Sequence, residues 1–120
     1  MLIEKKLQSF QYAITGLRVA WSEEFNFRFE VVCAVVALGL AWALHLSREE
    51  IITVIFVIGF VLAAEALNTA LEEFCDMVKS DPDPHIAKIK DLAAAAVLIS
   101  SVAAFVIGCL IFIPHLLLLL

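Results

Sequence analysis

Glycine and proline are scarce in this chain of 120 residues, with four of the first and three of the second. The glycines, Gly16, Gly39, Gly59 and Gly108, are scattered, and none opens a phosphate-cradling G-x-x-x-x-G-K loop. A P-loop is thereby excluded, so any nucleotide site has to be built from side chains and bound metal. Cysteine is limited to Cys33, Cys75 and Cys109, with no C-x-x-C pair and no His/Cys cluster at metal-ligand spacing. The thiols read as small buried apolar groups. Basic residues number eight against thirteen acidic ones, a net charge of −5, and no basic patch recommends nucleic acid as a partner.

What the chain has in abundance is apolar surface. Hydrophobic residues make up 63% of it and the mean hydropathy is +1.01, against about 45–50% apolar residues in ordinary soluble domains. A single water-soluble domain of this size could not cover that much apolar surface, so the bilayer is the expected solvent. The N-terminus does not read as a cleavable signal peptide, because Gln8, Gln11 and Arg18 interrupt any apolar core.

The expected fold is an all-α membrane protein: an N-terminal amphipathic surface helix followed by three transmembrane helices. Over residues 1–22, Ile3, Leu7, Phe10, Ile14, Leu17 and Trp21 recur at steps of four and three, which puts them on one face of a helix lying in the interface. Charges interleave with aromatics at 23–30, as in a segment at headgroup level. The first span is expected over 28–46 and the second over 50–78, the latter capped by Ser47 ahead of Glu49 and Glu50. Lys-Ser-Asp-Pro-Asp-Pro at 79–84 breaks the second span, since two prolines cannot continue a helix. A loop over 79–85 then leads to a third span over 86–116. Lys and Arg gather near the start and at 79–90, which orients the N-terminus toward the cytoplasm.

Glu65, Asn68, Glu72 and Asp76, spaced i, i+3, i+7 and i+11, fall within about 80° of one another on a helix, with Thr69 on the same face. Glu65 stands roughly 22 Å from Glu50 and Glu72 about 33 Å, at about 1.5 Å per residue. Against a hydrocarbon core of about 30 Å, Glu65 lies shallowly inside the cytoplasmic leaflet, while Glu72 and Asp76 emerge among headgroups. Lys90 and Asp91 begin the third helix on that side, and Glu24, Arg28 and Glu30 lead into the first. Carboxylates such as Glu24 and Glu72 suit magnesium, which is held by a few carboxylates plus phosphate oxygens. Lys90 could neutralise phosphate charge, and a partly desolvated Glu65 suits a general base. Arg28, four residues after Glu24, could instead simply pair with it.

Glu-Ala-Leu-Asn-Thr-Ala-Leu-Glu at 65–72, followed by Asp76, closely resembles the signature of the prokaryotic diacylglycerol kinase family, which includes undecaprenol kinases. Asp-Pro-His-Ile-Ala-Lys-Ile-Lys-Asp at 83–91 resembles its second block, and Gly-Leu-Arg at 16–18 with Glu-Phe-Asn-Phe-Arg-Phe-Glu at 24–30 its N-terminal block. The resemblance covers about residues 5–110 in colinear order. It implies a homotrimeric bundle in the bacterial cytoplasmic (inner) membrane, with active sites shared between subunits. It also implies magnesium-dependent transfer of the γ-phosphate of ATP to a membrane lipid alcohol.

Carried over by position, Glu65 would be the base, Glu24 and Glu72 the metal ligands, and Lys90 with Asp91 the groups on the nucleotide phosphates. Asp76 and Arg18 would join the nucleotide side, and Asn68, Arg28 and Glu30 would support the site and the lipid. Asn-Thr-Ala and the Asp-Pro loop look more like the undecaprenol-acting branch than the enterobacterial diacylglycerol branch. His85 is expected to be a solvated loop residue.

Two other classes use the same stripe: a channel or transporter subunit with the carboxylates lining an ion path, and an assembly protein joined by them. An ion path needs polar groups through the full membrane depth. Residues 51–64 and 92–113 offer only Thr53, Ser100 and Ser101.

Overall fold

The computed structural model describes residues 1–79 and 81–120; Ser80, part of the expected loop, lies outside the described residues. Four helices follow one another: α1 (Leu2–Glu23), α2 (Phe25–Ala43), α3 (Arg48–Val78) and α4 (Pro84–Leu117). The fold class is the one expected, an N-terminal helix plus three helices long and apolar enough to cross a membrane. Helix α3 is central, packing most extensively on α4 and next on α2, while α1 packs on α2. Apart from Ala20, every residue of α1 keeps its surface exposed or half-exposed. Large apolar side chains such as Phe56 and Phe105 also point outward, as they can where hydrocarbon rather than water surrounds the helix.

A single residue separates α1 from α2. Glu24 adopts extended backbone at φ −111° and ψ 109°, and its amide donates to the Ala20 carbonyl at 3.0 Å. The Arg28 guanidinium donates to the carbonyls of Trp21 (2.7 Å) and Ser22 (3.1 Å), which have no partner within α1's last turn. The i, i+4 pairing of Arg28 with Glu24 is therefore replaced by a helix-end clamp. Glu24 is the N-cap of α2, and its carbonyl accepts from the Arg28 amide at 3.2 Å. Its extended backbone takes its side chain out of the helical direction that such a pair requires.

The far end of the bundle is closed by two local motifs. Helix α2 stops because His45 takes a left-handed conformation, φ 54°. The Leu46 amide donates to Ala41 (3.1 Å) and the His45 amide to Trp42 (3.3 Å), the two bonds of a Schellman ending, with Leu46 and Ala41 packed together in the core. Ser47 then caps α3: its hydroxyl accepts from the Glu50 amide (3.2 Å) and the Glu50 carboxylate accepts from the Ser47 amide (3.0 Å). The same carboxylate meets Nε2 of His115 at 3.0 Å, tying the end of α4 to the start of α3. Ala41, Leu46 and Val54 form the core beneath.

At the opposite end, Pro84 occupies the first turn of α4, where its missing amide hydrogen is not needed. Asp83 caps that turn, accepting from the amides of His85 (2.8 Å) and Ile86 (3.3 Å). Its other oxygen accepts from Lys79 at 2.9 Å.

Candidate functional site

Helix α3 carries the acidic and amide stripe, and the fold divides it by depth. Its 31 residues rise about 46 Å, well beyond a hydrocarbon core of about 30 Å, so the helix is too long to lie in a membrane interior over its whole length. Glu65 is the deepest member and is only 4% exposed. Glu30, Glu24 and Glu72 all stand within electrostatic reach of it. The sequence spacing accounts for Glu72, but only folding brings the two residues at the α2 entry within that reach.

One turn along, the Asn68 amide nitrogen donates to the Glu72 carboxylate at 3.3 Å. That leaves Asn68 Oδ1 buried with no hydrogen-bond partner among the described residues. The Thr69 hydroxyl is committed to the Glu65 carbonyl at 3.0 Å, which leaves it a backbone role. Farther toward water, exposed Asp76 accepts from the Lys90 ammonium, and Lys90 also lies within electrostatic reach of Glu72. Cys75, beside Asp76, is buried at 2% exposure.

The structure thus puts Glu24, Glu30 and Glu72 within electrostatic reach of Glu65, joins Asn68 to Glu72 and pairs Lys90 with Asp76. Arg28 spends its guanidinium on the end of α1. Arg18 and Asp91 are exposed and make no side-chain hydrogen bond or ion pair among the described residues. Lys79 and Asp83 are the pair that sequence reasoning left out. Their i, i+4 spacing across a Pro-flanked cap was the available signal.

An apolar groove of about 340 Å³ runs between α2, α3 and α4 below this cluster. Ala34, Val61, Phe105 and Gly108 are among its walls, and Glu30 is its one charged lining residue. Glu30 therefore links the groove to the carboxylates. Two of the three polar side chains at membrane depth turn to their own helices: Thr53 donates to the Glu49 carbonyl (2.9 Å) and Ser100 to the Val97 carbonyl (2.8 Å).

As a metal site the cluster is incomplete on its own. Among the described residues, no three His, Cys, Asp or Glu side chains gather where they alone could hold an ion. Its donors are nonetheless all hard oxygens, and the orphaned Asn68 oxygen beside Glu72 adds another. That set fits magnesium, which takes one or two carboxylates and completes its shell with phosphate and water.

Comparison with known proteins shows similarity over most of the chain. The sequence pattern of the family described as prokaryotic diacylglycerol kinase matches residues 11–112. A diacylglycerol kinase of Synechocystis is 36% identical over 92% of this chain, which spans 64% of that relative's length. An undecaprenol kinase of Bacillus subtilis is 32% identical, over 95% of this chain and 93% of the relative. A diacylglycerol kinase of Escherichia coli K12 is also 32% identical, over 87% and 85% respectively.

Proposed function

The chain belongs to the prokaryotic diacylglycerol kinase family, and on that premise we propose that it transfers the γ-phosphate of ATP to the hydroxyl of a membrane lipid, undecaprenol or diacylglycerol. The observation that carries this reading is the position of Glu65. It is buried among carboxylates above an apolar groove, while Asp76 and Lys90 stand on the watery side of the same stripe. Such a site meets an aqueous phosphate donor at one end and a membrane-held alcohol at the other.

In this reading the lipid's chain lies along the groove and its hydroxyl reaches Glu65 past Glu30. Glu65 accepts the hydroxyl proton as the lipid oxygen bonds to the γ-phosphorus. The bond from that phosphorus to the β–γ bridging oxygen breaks, releasing ADP and leaving the proton on Glu65. Lys90, which pairs with Asp76 before the nucleotide arrives, offers charge to the phosphates, with Asp76, Asp91 and Arg18 completing the nucleotide side. Glu72 and Glu24, with the Asn68 carbonyl oxygen, would hold magnesium. Bound there, magnesium supplies positive charge that offsets the phosphates' negative charge.

We assign the protein to the bacterial cytoplasmic membrane with its N-terminus inside, as a homotrimer whose neighbours complete the sites. An ion path draws no support from Thr53 and Ser100, whose hydroxyls are satisfied within their own helices.

The test is to incubate purified protein in mixed micelles with magnesium, labelled ATP and each lipid in turn. Label in undecaprenyl phosphate or phosphatidic acid is the expected result. Folded protein that labels neither lipid would overturn the proposal.

A further inference from the structure

Two ion pairs of opposite polarity cross the hairpin between α3 and α4. Asp76 of α3 takes Lys90 of α4, and Lys79, just past the end of α3, takes Asp83, the cap of α4, at 2.9 Å. Asp83 uses both carboxylate oxygens. One grips Lys79 and the other accepts from the amides of His85 and Ile86. Among the described residues, this side chain alone joins the end of one helix to the first turn of the next.

Asp83 caps the first turn of α4, and Lys90 projects from the next turn of the same helix, so the setting of that first turn sets the direction of Lys90. The Lys90 ammonium has three donors, and a nucleotide phosphate competes with Asp76 for them. While Lys90 turns to phosphate its tie to Asp76 weakens, and the Lys79–Asp83 link remains to hold the two helices in register.

We infer that Asp83 is a positioning residue: by gripping Lys79 while capping α4, it keeps Lys90 aligned for the phosphates of the nucleotide. The inference rests on the kinase reading above. Asp83 touches neither ATP nor lipid in it, so its loss acts on nucleotide affinity and spares the chemical step. Lys79 is half-exposed and exposed pairs contribute modestly, so the expected effect is limited in size.

The experiment measures steady-state kinetics in mixed micelles, together with equilibrium binding of a non-hydrolysable ATP analogue in the absence of lipid. Asp83→Ala should raise the KM for ATP and the analogue's Kd together by about three- to tenfold. Its kcat and its KM for lipid should stay within about twofold of wild type. Asp83→Asn, which keeps an acceptor for the cap and loses the charge, and Lys79→Met should each give a smaller shift of the same kind. They also carry the test if the alanine variant does not fold. Unchanged nucleotide KM and Kd in these variants, or a fall in kcat alone, would reduce Asp83 to a structural cap and overturn the inference. Wild-type protein that binds the analogue but phosphorylates no lipid would instead sink the kinase reading, and binding shifts in the variants would still decide the role of Asp83.

Discussion

The substitution Glu65→Gln keeps the side chain's shape while removing its charge and its capacity to take a proton. A positioned general base contributes about 10²–10⁴-fold to a rate, or roughly 3–5.5 kcal/mol of barrier at about 1.36 kcal/mol per tenfold. The kcat for lipid phosphorylation should fall by that factor, with the KM for ATP little changed, because Lys90 and Asp76 lie on the other side of the stripe. Stability should move the opposite way. Glu65 is 4% exposed and within electrostatic reach of Glu30, Glu24 and Glu72. Replacing a buried ionisable group by a neutral one of the same size is often stabilising, here on the order of 1 kcal/mol. Thermal unfolding in detergent, followed by circular dichroism, should therefore give a higher Tm for an almost inactive enzyme. A variant that keeps more than about a tenth of wild-type kcat would refute the assignment of Glu65 as base. Lost activity with a lowered Tm would refute the account of the buried carboxylates and point to damage in packing.

Other expectations follow from the helix ends. His45→Gly removes the strain of a side chain at φ 54° and should stabilise by roughly 0.5–1 kcal/mol after the extra freedom of unfolded glycine is counted; a lower Tm would contradict this. Ser47→Ala removes one half of the capping box and should cost about 1 kcal/mol. Glu50→Ala should cost more, since the link to His115 goes with it, and equal Tm values for the two variants would contradict that ordering. The Lys79 ammonium, and then the amides of His85 and Ile86, hold the Asp83 carboxyl below its ordinary value. Such a group contributes stability that is fully present above its unfolded pKa and is lost as pH falls through the folded one. The hairpin should stay clasped in mildly acid solution and release only below the usual carboxylate range. An NMR titration placing Asp83 at or above the ordinary value would disprove this.

Much of the helical layout was legible because apolar runs and two prolines are strong signals. The stripe of Glu65, Asn68, Glu72 and Asp76 was legible for the same kind of reason, since residues on one helix have fixed mutual angles. The break at Glu24 was not. One extended residue leaves no compositional trace, and it redirects Arg28 from an ion pair to the carbonyls of Trp21 and Ser22. The stop at His45 was hidden too, because left-handed endings usually advertise themselves with glycine or asparagine. The Lys79–Asp83 tie sat inside a stretch that reads simply as a helix breaker.

By itself, the sequence determined that this chain needs a bilayer, that it is helical, and that one helix carries its polar side chains along a single face. Those properties follow from composition and from periodicity within one element. Only the tertiary structure decided that Glu24 and Glu30 join Glu65, that Lys90 meets Asp76, and that an apolar groove ends at Glu30. Each of these sets one helix against another. Helix packing depends on where each chain break falls and how each end is capped, and a periodic pattern within a single helix carries neither.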